Sequence, residues 1–228
     1  MAGIKVFGLT FGKDGKLETR TTSVDWRTRA VAQGYGGHVT IGTLSAPITG
    51  GGAGTVYDPE QPEGLVSVDR EFTLVPLRVT VQCHVPLLAA DADECEIKLA
   101  ADVLSAWPVT GTRTDEAIFN MLTTGRTPVA GTSEVPGIVA ASAFTGDTTT
   151  PVLGMDLDGS VITGDVQGTP ASALWTPLAL LYEPVTPPLI RGPACMYLYW
   201  GGTVAVAGFA QIEVLCIPND ILKGMLSA

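Results

Sequence analysis

The sequence predicts an all-β protein, and three observations support that fold class. Residues 78–85 alternate strictly between polar and apolar side chains, which is the period of a strand with one buried face. The alternation returns in residues 94–99 and again in residues 211–216. Runs rich in glycine and proline, both typical of turns and loops, separate these segments.

The first part of the chain is predicted to be an extended arm. Residues 4–9 have the pattern of a short strand, and the Asp-Gly pair within residues 13–16 indicates a tight turn. Residues 19–37 are polar and rich in threonine and arginine. We therefore assign residues 1–37 to an extended N-terminal arm.

Two long strands are then predicted to organise the fold. Strands are expected over residues 38–48 and 65–68, and residues 72–107 hold two alternating segments joined by the short polar stretch 89–93. That arrangement predicts an antiparallel pair. The glycine-rich run 49–55 is not followed by a Lys-Ser/Thr pair, so it is predicted to be a flexible loop and not a phosphate cradle.

Residues 114–122 carry the clearest helical pattern. Thr114 can cap the first turn, and the acidic pair that follows suits a helix N-terminus. Ile118 and Leu122 are four residues apart and would share one face. We therefore predict one short helix here.

Residues 123–170 are predicted to form a loop-rich excursion. The segment is rich in Gly, Thr, Pro and Ala, with weak strand patterns at 137–144, 152–157 and 160–166. The Asp-Gly pair at 158–159 is predicted to be a hairpin turn between two short strands. The acidic residues around it do not match an EF-hand loop, because the acid at the twelfth position and the flanking helices are missing from the sequence pattern.

The last third of the sequence returns to long strands, over residues 171–182, 189–200 and 204–217. The Gly-Gly pair at 201–202 lies between two apolar runs and predicts a hairpin. Long strands early and late in the chain, with a loop-like middle, favour Greek-key closure over a propeller or an up-and-down barrel.

The predicted fold is therefore a jelly-roll β-sandwich of eight to ten strands, with long loops and one short helix. The sandwich is assigned to residues 38–218, and residues 219–228 are assigned to a C-terminal tail. Hydrophobic residues make up 46% of the chain, enough for one large core. Charged residues make up only 16%, against about a quarter in an average domain, which suggests that other subunits cover part of the surface.

The net charge of −10 is unevenly distributed. Residues 1–29 hold six basic and three acidic side chains, a net of +3, and the remainder carries a net of −13. Because phosphate contacts need a basic surface, an acidic body argues against broad binding to nucleic acid or anionic membranes. Any nucleic-acid contact is therefore expected only at the N-terminal arm.

The sequence predicts a protein made in the cytoplasm, without a signal peptide or a membrane span. No apolar run follows residues 1–5, and no apolar stretch reaches the length of a spanning helix. The four cysteines fall in apolar surroundings, where a free thiol behaves as a small hydrophobe. Their spacing contains no CxxC pair, which disfavours zinc or redox chemistry and leaves disulfides between neighbouring strands open.

No catalytic motif is found, and the chain is predicted not to be an enzyme and to need neither cofactor nor metal. His38 and His84 are the two histidines, and the sequence has no GxSxG elbow and no HxH or HxxxH spacing. Glu94 and Glu96 share one side of a strand, about 7 Å apart, which is within the range of an inverting glycosidase. Aromatic residues, which form sugar platforms, make up only 7% of the chain.

The densest aromatic run covers residues 195–200. Alternation places Tyr197 and Tyr199 opposite Met196, Leu198 and Trp200, so both sides of this strand are apolar or amphipathic. Such a strand is either central in a sandwich or part of a subunit contact.

Three features together resemble a known family. They are the long strand with an internal proline, LVPLRVTVQCHVPL, an acidic turn with a second strand that ends in Trp, and the terminal pair GPACMYLYWGG...AQIEVLCIP. Over residues 38–217 this pattern is similar to single-jelly-roll virion proteins, capsid or capsid-associated, of tailless icosahedral bacterial and archaeal viruses. The resemblance lies in strand pattern and composition.

The resemblance implies a capsid subunit that assembles with copies of itself and with other virion proteins around a genome. Such a protein is synthesised in the host cytoplasm and located in the virion, often in pseudo-hexameric or pentameric capsomers. The arm would then reach to neighbours or inward, and the low basic content departs from coat proteins that package nucleic acid directly. The candidate interface residues are Arg20, Trp26, Arg27, Arg29, Tyr197 and Tyr199.

Two other functions remain open from the sequence. One is a ligand-binding β-sandwich, such as a carbohydrate module or the receptor-binding head of a bacteriophage. The other is a glycoside hydrolase that uses Glu94 and Glu96.

Overall fold

The computed structural model confirms the all-β prediction. It describes residues 25–50, 57–85, 94–102, 112–122, 129, 131–145, 151–163, 176–203 and 206–226, together with residues 4–6, 9–11 and 17–18. Within these ranges there are sixteen strands and two short helices.

The strands and helices are numbered here in chain order. The strands are β1 (Ile4–Val6), β2 (Leu9–Phe11), β3 (Leu17–Glu18), β4 (Gly36–Ile41), β5 (Ile48–Thr49), β6 (Gly64–Val68), β7 (Phe72–Val85), β8 (Glu94–Asp102), β9 (Thr112–Glu116), β10 (Ile118–Asn120), β11 (Ile138–Thr145), β12 (Met155–Thr163), β13 (Thr176–Tyr182), β14 (Ile190–Arg191), β15 (Ala194–Gly202) and β16 (Ala207–Pro218). The helices are α1 (Trp26–Ala32) and α2 (Asn219–Leu226).

Two large antiparallel sheets form a β-sandwich. The seven-stranded sheet has the order β10-β4-β16-β7-β13, with β14 paired to β7 and β5 paired to β16. The six-stranded sheet has the order β12-β8-β15-β6-β11-β9. A small third sheet, β1-β2-β3, pairs with neither of them.

The main core lies between the two large sheets. The alternation found in the sequence places Val79 and Val81 of β7 on the inner side of one sheet, and Ile97 and Leu99 of β8 on the inner side of the other. All four side chains are buried, and the fully buried Trp200 joins the same core from β15. Burial of this continuous apolar layer is the main stabilising contribution to the fold.

The predicted antiparallel pair between the two long strands is wrong. β7 lies in the seven-stranded sheet, where Val79 is opposite Ile212 of β16 and Tyr182 of β13. β8 lies in the six-stranded sheet, between β12 and β15. The two strands lie in opposite sheets and contribute to the same core, because the chain changes sheets between residues 85 and 94.

The predicted hairpin at residues 201–202 is wrong for the same reason. β15 ends at Gly202 in the six-stranded sheet, and β16 begins at Ala207 in the seven-stranded sheet. Apolar alternation indicates which side of a strand is buried, but it does not identify the partner strand.

The helix predicted over residues 114–122 is also wrong, since this segment contributes to the strands β9 and β10. Ile118 is fully buried in the core and pairs with Val39 of β4. Asp115 pairs with Ala141 of β11. An isolated two-turn helix is marginal, so strand pairing at the two sheet edges overrides the local propensity.

The chain between residues 151 and 163 differs from the prediction in one further place. The Asp-Gly pair at 158–159 lies inside β12, opposite Leu99 and Lys98 of β8, and is not a hairpin turn. The pairing register shifts between Asp156 and Asp158, which is a β-bulge or a similar irregularity that keeps the strand continuous. The strand expected at residues 137–144 is confirmed as β11.

Both helices occur where none was expected, within the predicted arm and the predicted tail. The side chain of Asp25 accepts a hydrogen bond from the backbone N–H of Arg27 and so caps α1. The turn expected at residues 13–16 and the glycine-rich residues 51–55 lie outside the described part of the chain. The division of the chain at residues 37 and 218 stays a prediction.

Gly137 is predicted to be intolerant of a side chain. It has a φ of 75°, and an added Cβ would lie 2.3 Å from Cδ2 of Phe72. We expect Gly137→Ala to lower the free energy of unfolding by about 2 kcal/mol or more, because the backbone strain adds to the clash. Gly224 in α2 is the matched control, since an added Cβ there meets nothing within 4 Å. Gly224→Ala should raise stability by up to about 1 kcal/mol in the same urea titration. Equal effects of the two substitutions would contradict this packing.

Candidate assembly surfaces

Helix α1 carries three of the predicted interface residues and is fixed on the seven-stranded sheet. Its Ala30 is buried in a cluster with Val75, Leu215 and Ile217, which alternate with core-facing residues and so point away from the six-stranded sheet. Leu222 of α2 belongs to the same cluster. The two helices therefore cover one end of the outer side of this sheet.

The side chains on α1 have different environments. Trp26 is half-buried against the helix cluster. Arg27 Nε lies 3.2 Å from Asp25 Oδ2, and Arg27 Nη2 donates a hydrogen bond to the carbonyl oxygen of Val185 at 3.2 Å. Arg29 lies in the last turn and is partly exposed. Arg20 lies outside the described residues.

The other two predicted interface residues are buried within the chain itself. Tyr197 and Tyr199 lie on the outer side of β15, with ring centroids 6.0 Å apart. Tyr57 packs against Tyr199 at 4.9 Å, and the hydroxyl of Tyr199 donates to the carbonyl oxygen of Pro59 at 3.1 Å. Burial raises the pKa of Tyr199. The sequence indicated that this strand is either central in a sandwich or part of a subunit contact. In the structure β15 is central in its sheet, between β8 and β6. A role of these tyrosines in a subunit contact stays a prediction.

Three exposed apolar side chains lie on the edge strand β13 or in the loop after it. Leu181 at its end is 59% exposed, and Val185 and Leu189 in the next loop are 89% and 45% exposed. Arg27 ties this loop to α1 through the Val185 carbonyl. We call the surface formed by Arg27, Leu181, Val185 and Leu189 the assembly edge. The sequence predicted interface residues in the segment that forms α1 but did not indicate the apolar residues next to it, because exposure is not visible in a proline-rich loop sequence.

The other sheet edges carry features that discourage pairing with a further strand. β12 has the register shift and the exposed Asp156 and Asp158, while β9 carries Arg113 and Asp115 as an ion pair at 2.7 Å. β10 has only three residues. Charges, bulges and short length all protect an edge. β13 has one such feature, Pro177, and otherwise presents an apolar sequence.

The two histidines are not arranged as a catalytic pair. Both lie on the outer side of the seven-stranded sheet, His38 on β4 and His84 on β7, with β16 between them. His38 is opposite Glu213, and its ring contacts Phe119 with centroids 6.3 Å apart. His84 is opposite Ala207, six residues away from Glu213 along β16.

Of the predicted acid pair, Glu94 and Glu96, the side chain of Glu96 is held by a contact with the backbone. Glu96 Oε1 accepts a hydrogen bond from the backbone N–H of Tyr57 at 2.9 Å. Lys98, next in the same row, forms an ion pair with Asp156 at 2.9 Å and lies over the Tyr57 ring. These contacts attach the segment around Tyr57 to β8.

A cavity of about 300 Å³ lies at the edge of the six-stranded sheet that β11 and β9 form. Its polar lining includes Ser67, Asp69 and the Arg113–Asp115 ion pair. Glu116, also in the lining, accepts a hydrogen bond from Ser142. Among the residues that the structure describes, no three His, Cys, Asp or Glu side chains are grouped to hold a metal ion.

All four cysteines are buried, and none of them forms a disulfide. Burial is the main cause that raises the pKa of Cys83 and of Cys216 from 9.0 to about 12. The burial of the cysteines confirms the prediction that they fall in apolar surroundings. The thiols of Cys83 and Cys216 are therefore neutral at physiological pH and are shielded from reagents that need the thiolate.

The buried thiols predict a loss of stability at alkaline pH. Cys83 and Cys216 stay protonated in the folded protein up to pH about 12 and lose their protons near pH 9 when the chain unfolds. The free energy of unfolding therefore falls as the pH rises between these values, by about 1.4 kcal/mol per pH unit for each thiol. Urea unfolding between pH 8 and 11 measures this slope. The double variant Cys83→Ala, Cys216→Ala should have a shallower slope, and an identical slope would contradict the prediction.

Comparison with known proteins gives no match: no family model, no curated protein and no solved structure is significantly similar to the chain. Neither helix in the described ranges has the length and apolar character needed to cross a lipid bilayer.

Proposed function

We propose that the protein is a structural virion protein, a capsid subunit without catalytic activity that self-assembles through its β-sandwich and its N-terminal arm. It would be synthesised in the host cytoplasm and incorporated into the virion with copies of itself and other virion proteins. Nucleic-acid contact would be limited to the arm.

The pairing of the eight main strands carries this proposal. In chain order they are β4, β6, β7, β8, β12, β13, β15 and β16. The first pairs with the last, the second with the seventh, the third with the sixth and the fourth with the fifth. A long antiparallel hairpin that rolls into two sheets produces this nested order, and this is the topology expected of a jelly roll. Jelly rolls form many viral capsids.

The remaining strands fit the same topology as additions. β9, β10 and β11 come between the fourth and fifth main strands in the sequence. They extend the sheets beyond β4 and β6 without interrupting the nested pairs.

Surface features agree with a subunit that is covered in an assembly. The assembly edge combines exposed apolar side chains with an edge strand that has little protection against pairing. The small sheet β1-β2-β3 pairs with neither large sheet, so the N-terminal segment is not part of the sandwich pairing. Both features favour contacts between copies.

Deletion of residues 1–24 tests the proposal. The cut keeps Asp25, whose side chain caps α1, so the sandwich and its helices should stay folded. We expect the full chain to form assemblies of many copies and the truncated chain to stop at a capsomer or a monomer of lower mass. Light scattering on purified protein measures the mass, and circular dichroism checks the fold. Equal assembly of both proteins would refute the role of the arm, and no assembly of the full chain would refute the capsid proposal.

A second candidate is a ligand-binding sandwich, because jelly rolls also form lectin domains. The observation in its favour is the cavity of about 300 Å³ with the Arg113–Asp115 pair in its lining. This candidate predicts a small stable oligomer with measurable glycan affinity that Arg113→Ala removes. A flat titration against a broad glycan panel would count against it.

A further inference from the structure

Three basic side chains gather at one end of the sandwich. Arg70, Arg191 and Lys223 line a depression of about 560 Å³, where β7 begins and β16 ends. All three residues are exposed. We call this surface the basic depression.

These three cations form no ion pair within the described part of the molecule. None of them forms an ion pair within 4 Å there, whereas Arg27, Lys98 and Arg113 each pair with an aspartate. The chain has a net charge of −10 and only 13 basic residues. Three exposed cations that form no ion pair with the described residues are therefore available for a contact with another molecule.

The local charges favour an acidic protein surface over a phosphate polymer. Glu71 and Asp220 also line the depression, so its net charge is only slightly positive. Asp220 Oδ1 accepts from the N–H of Ile221, so a carboxylate already occupies the first turn of α2. The acidic body would repel a nucleic acid at this end.

An acidic surface that could meet it lies on the edge strand β12. Asp156 and Asp158 are exposed, and the Asp156 side chain is 69% exposed. They line a shallow depression of about 510 Å³ along β8 and β12, together with Glu96 and Lys98. β12 is the last strand of its sheet, so a neighbouring copy can approach it from the side.

We infer that the basic depression of one copy binds the acidic edge of β12 on a neighbouring copy. The inference rests on the proposed function, since it names one contact of the assembly. Copies with a charge of −10 repel each other, and a contact that joins unlike charges both offsets this repulsion and fixes the orientation. A contact between two different surfaces is heterologous and generates rings or open arrays, which suit a capsomer.

Charge reversal on each side tests the contact in the full chain. Arg191→Glu places an acid in the basic depression, and Asp156→Lys places a base on the β12 edge. Each variant alone should begin to assemble only at a concentration about tenfold higher than the unaltered chain, because each contact becomes repulsive. An equimolar mixture should assemble at the original concentration, since every depression then finds an edge of opposite charge.

Asp115→Lys is the matched control. Asp115 is an exposed acid on β9, at the other edge of the same sheet, and it is ion-paired with Arg113 as Asp156 is with Lys98. This variant should assemble normally alone and should not restore Arg191→Glu, and thermal melts check that all variants are folded. If the unaltered chain does not assemble, the capsid proposal fails and the contact fails with it. If the unaltered chain assembles and the mixture of Arg191→Glu with Asp156→Lys does not recover, only the inferred contact is overturned.

Discussion

Replacing Trp200 with alanine should lower the free energy of unfolding by about 3–5 kcal/mol. Trp200 is fully buried between the two sheets, and its indole N–H donates to the carbonyl oxygen of Ile48 at 3.1 Å. The substitution removes the apolar contacts of a large ring, leaves a cavity and leaves the Ile48 carbonyl without this donor. No surface substitution in this chain should approach that effect.

Urea unfolding followed by far-ultraviolet circular dichroism measures the loss, because removal of one of the four tryptophans alters the fluorescence signal. Val185→Ala is the control, since Val185 is apolar but 89% exposed, and it should change stability by less than about 0.5 kcal/mol. Similar effects of the two substitutions would show that Trp200 is not in a packed core.

Glu63→Ala should cost about 2–3 kcal/mol, although it removes a charge from an acidic protein. Glu63 is 4% exposed, and its Oε2 accepts a hydrogen bond from the backbone N–H of Trp200 at 2.7 Å. In the same place the N–H of Glu63 donates to the carbonyl oxygen of Leu198. The carboxylate therefore continues the pairing of β15 just beyond the first residue of β6, and alanine leaves a buried N–H without its acceptor.

Glu63→Gln separates the hydrogen bond from the charge. Glutamine keeps an acceptor oxygen at nearly the same position, so it should retain most of the stability at neutral pH. Urea midpoints of both variants measure the difference. If glutamine and alanine cost the same, the charge and not the Trp200 hydrogen bond is what matters at this position.

The strands of the sandwich could be predicted from the sequence because burial of one face leaves a period of two. Val79, Val81, Ile97 and Leu99 face the core as their alternation indicated. The buried aromatic run of β15 could also be recognised, because apolar side chains on both sides require cover on both sides.

Strand partners could not be predicted, because pairing in a sandwich with crossed connections joins residues far apart in the sequence. Val79 is opposite Ile212, and no local pattern near either residue indicates the other. The short strands β9 and β10 were missed because their stability comes from β11 and β4, and the local sequence alone favours a helix there.

The interface role of the residues selected from the sequence stays a prediction. The sequence selected Trp26 and Arg27, and the structure places both on α1, with Arg27 bonded to the loop that carries Val185. The exposure of that loop and the grouping of Arg70, Arg191 and Lys223 depend on the three-dimensional arrangement of separate segments. Arg70, Arg191 and Lys223 are far apart in the sequence, and no local pattern predicts that they lie close together in the fold.

The mass of the full chain in solution tests the capsid proposal most directly. Size exclusion with light scattering, over a range of protein and salt concentrations, gives this mass, and electron microscopy of the same fractions gives the shape. The proposal predicts capsomers or closed particles built from many copies of the 23.7 kDa chain. A mass of 23.7 kDa under every condition would contradict it.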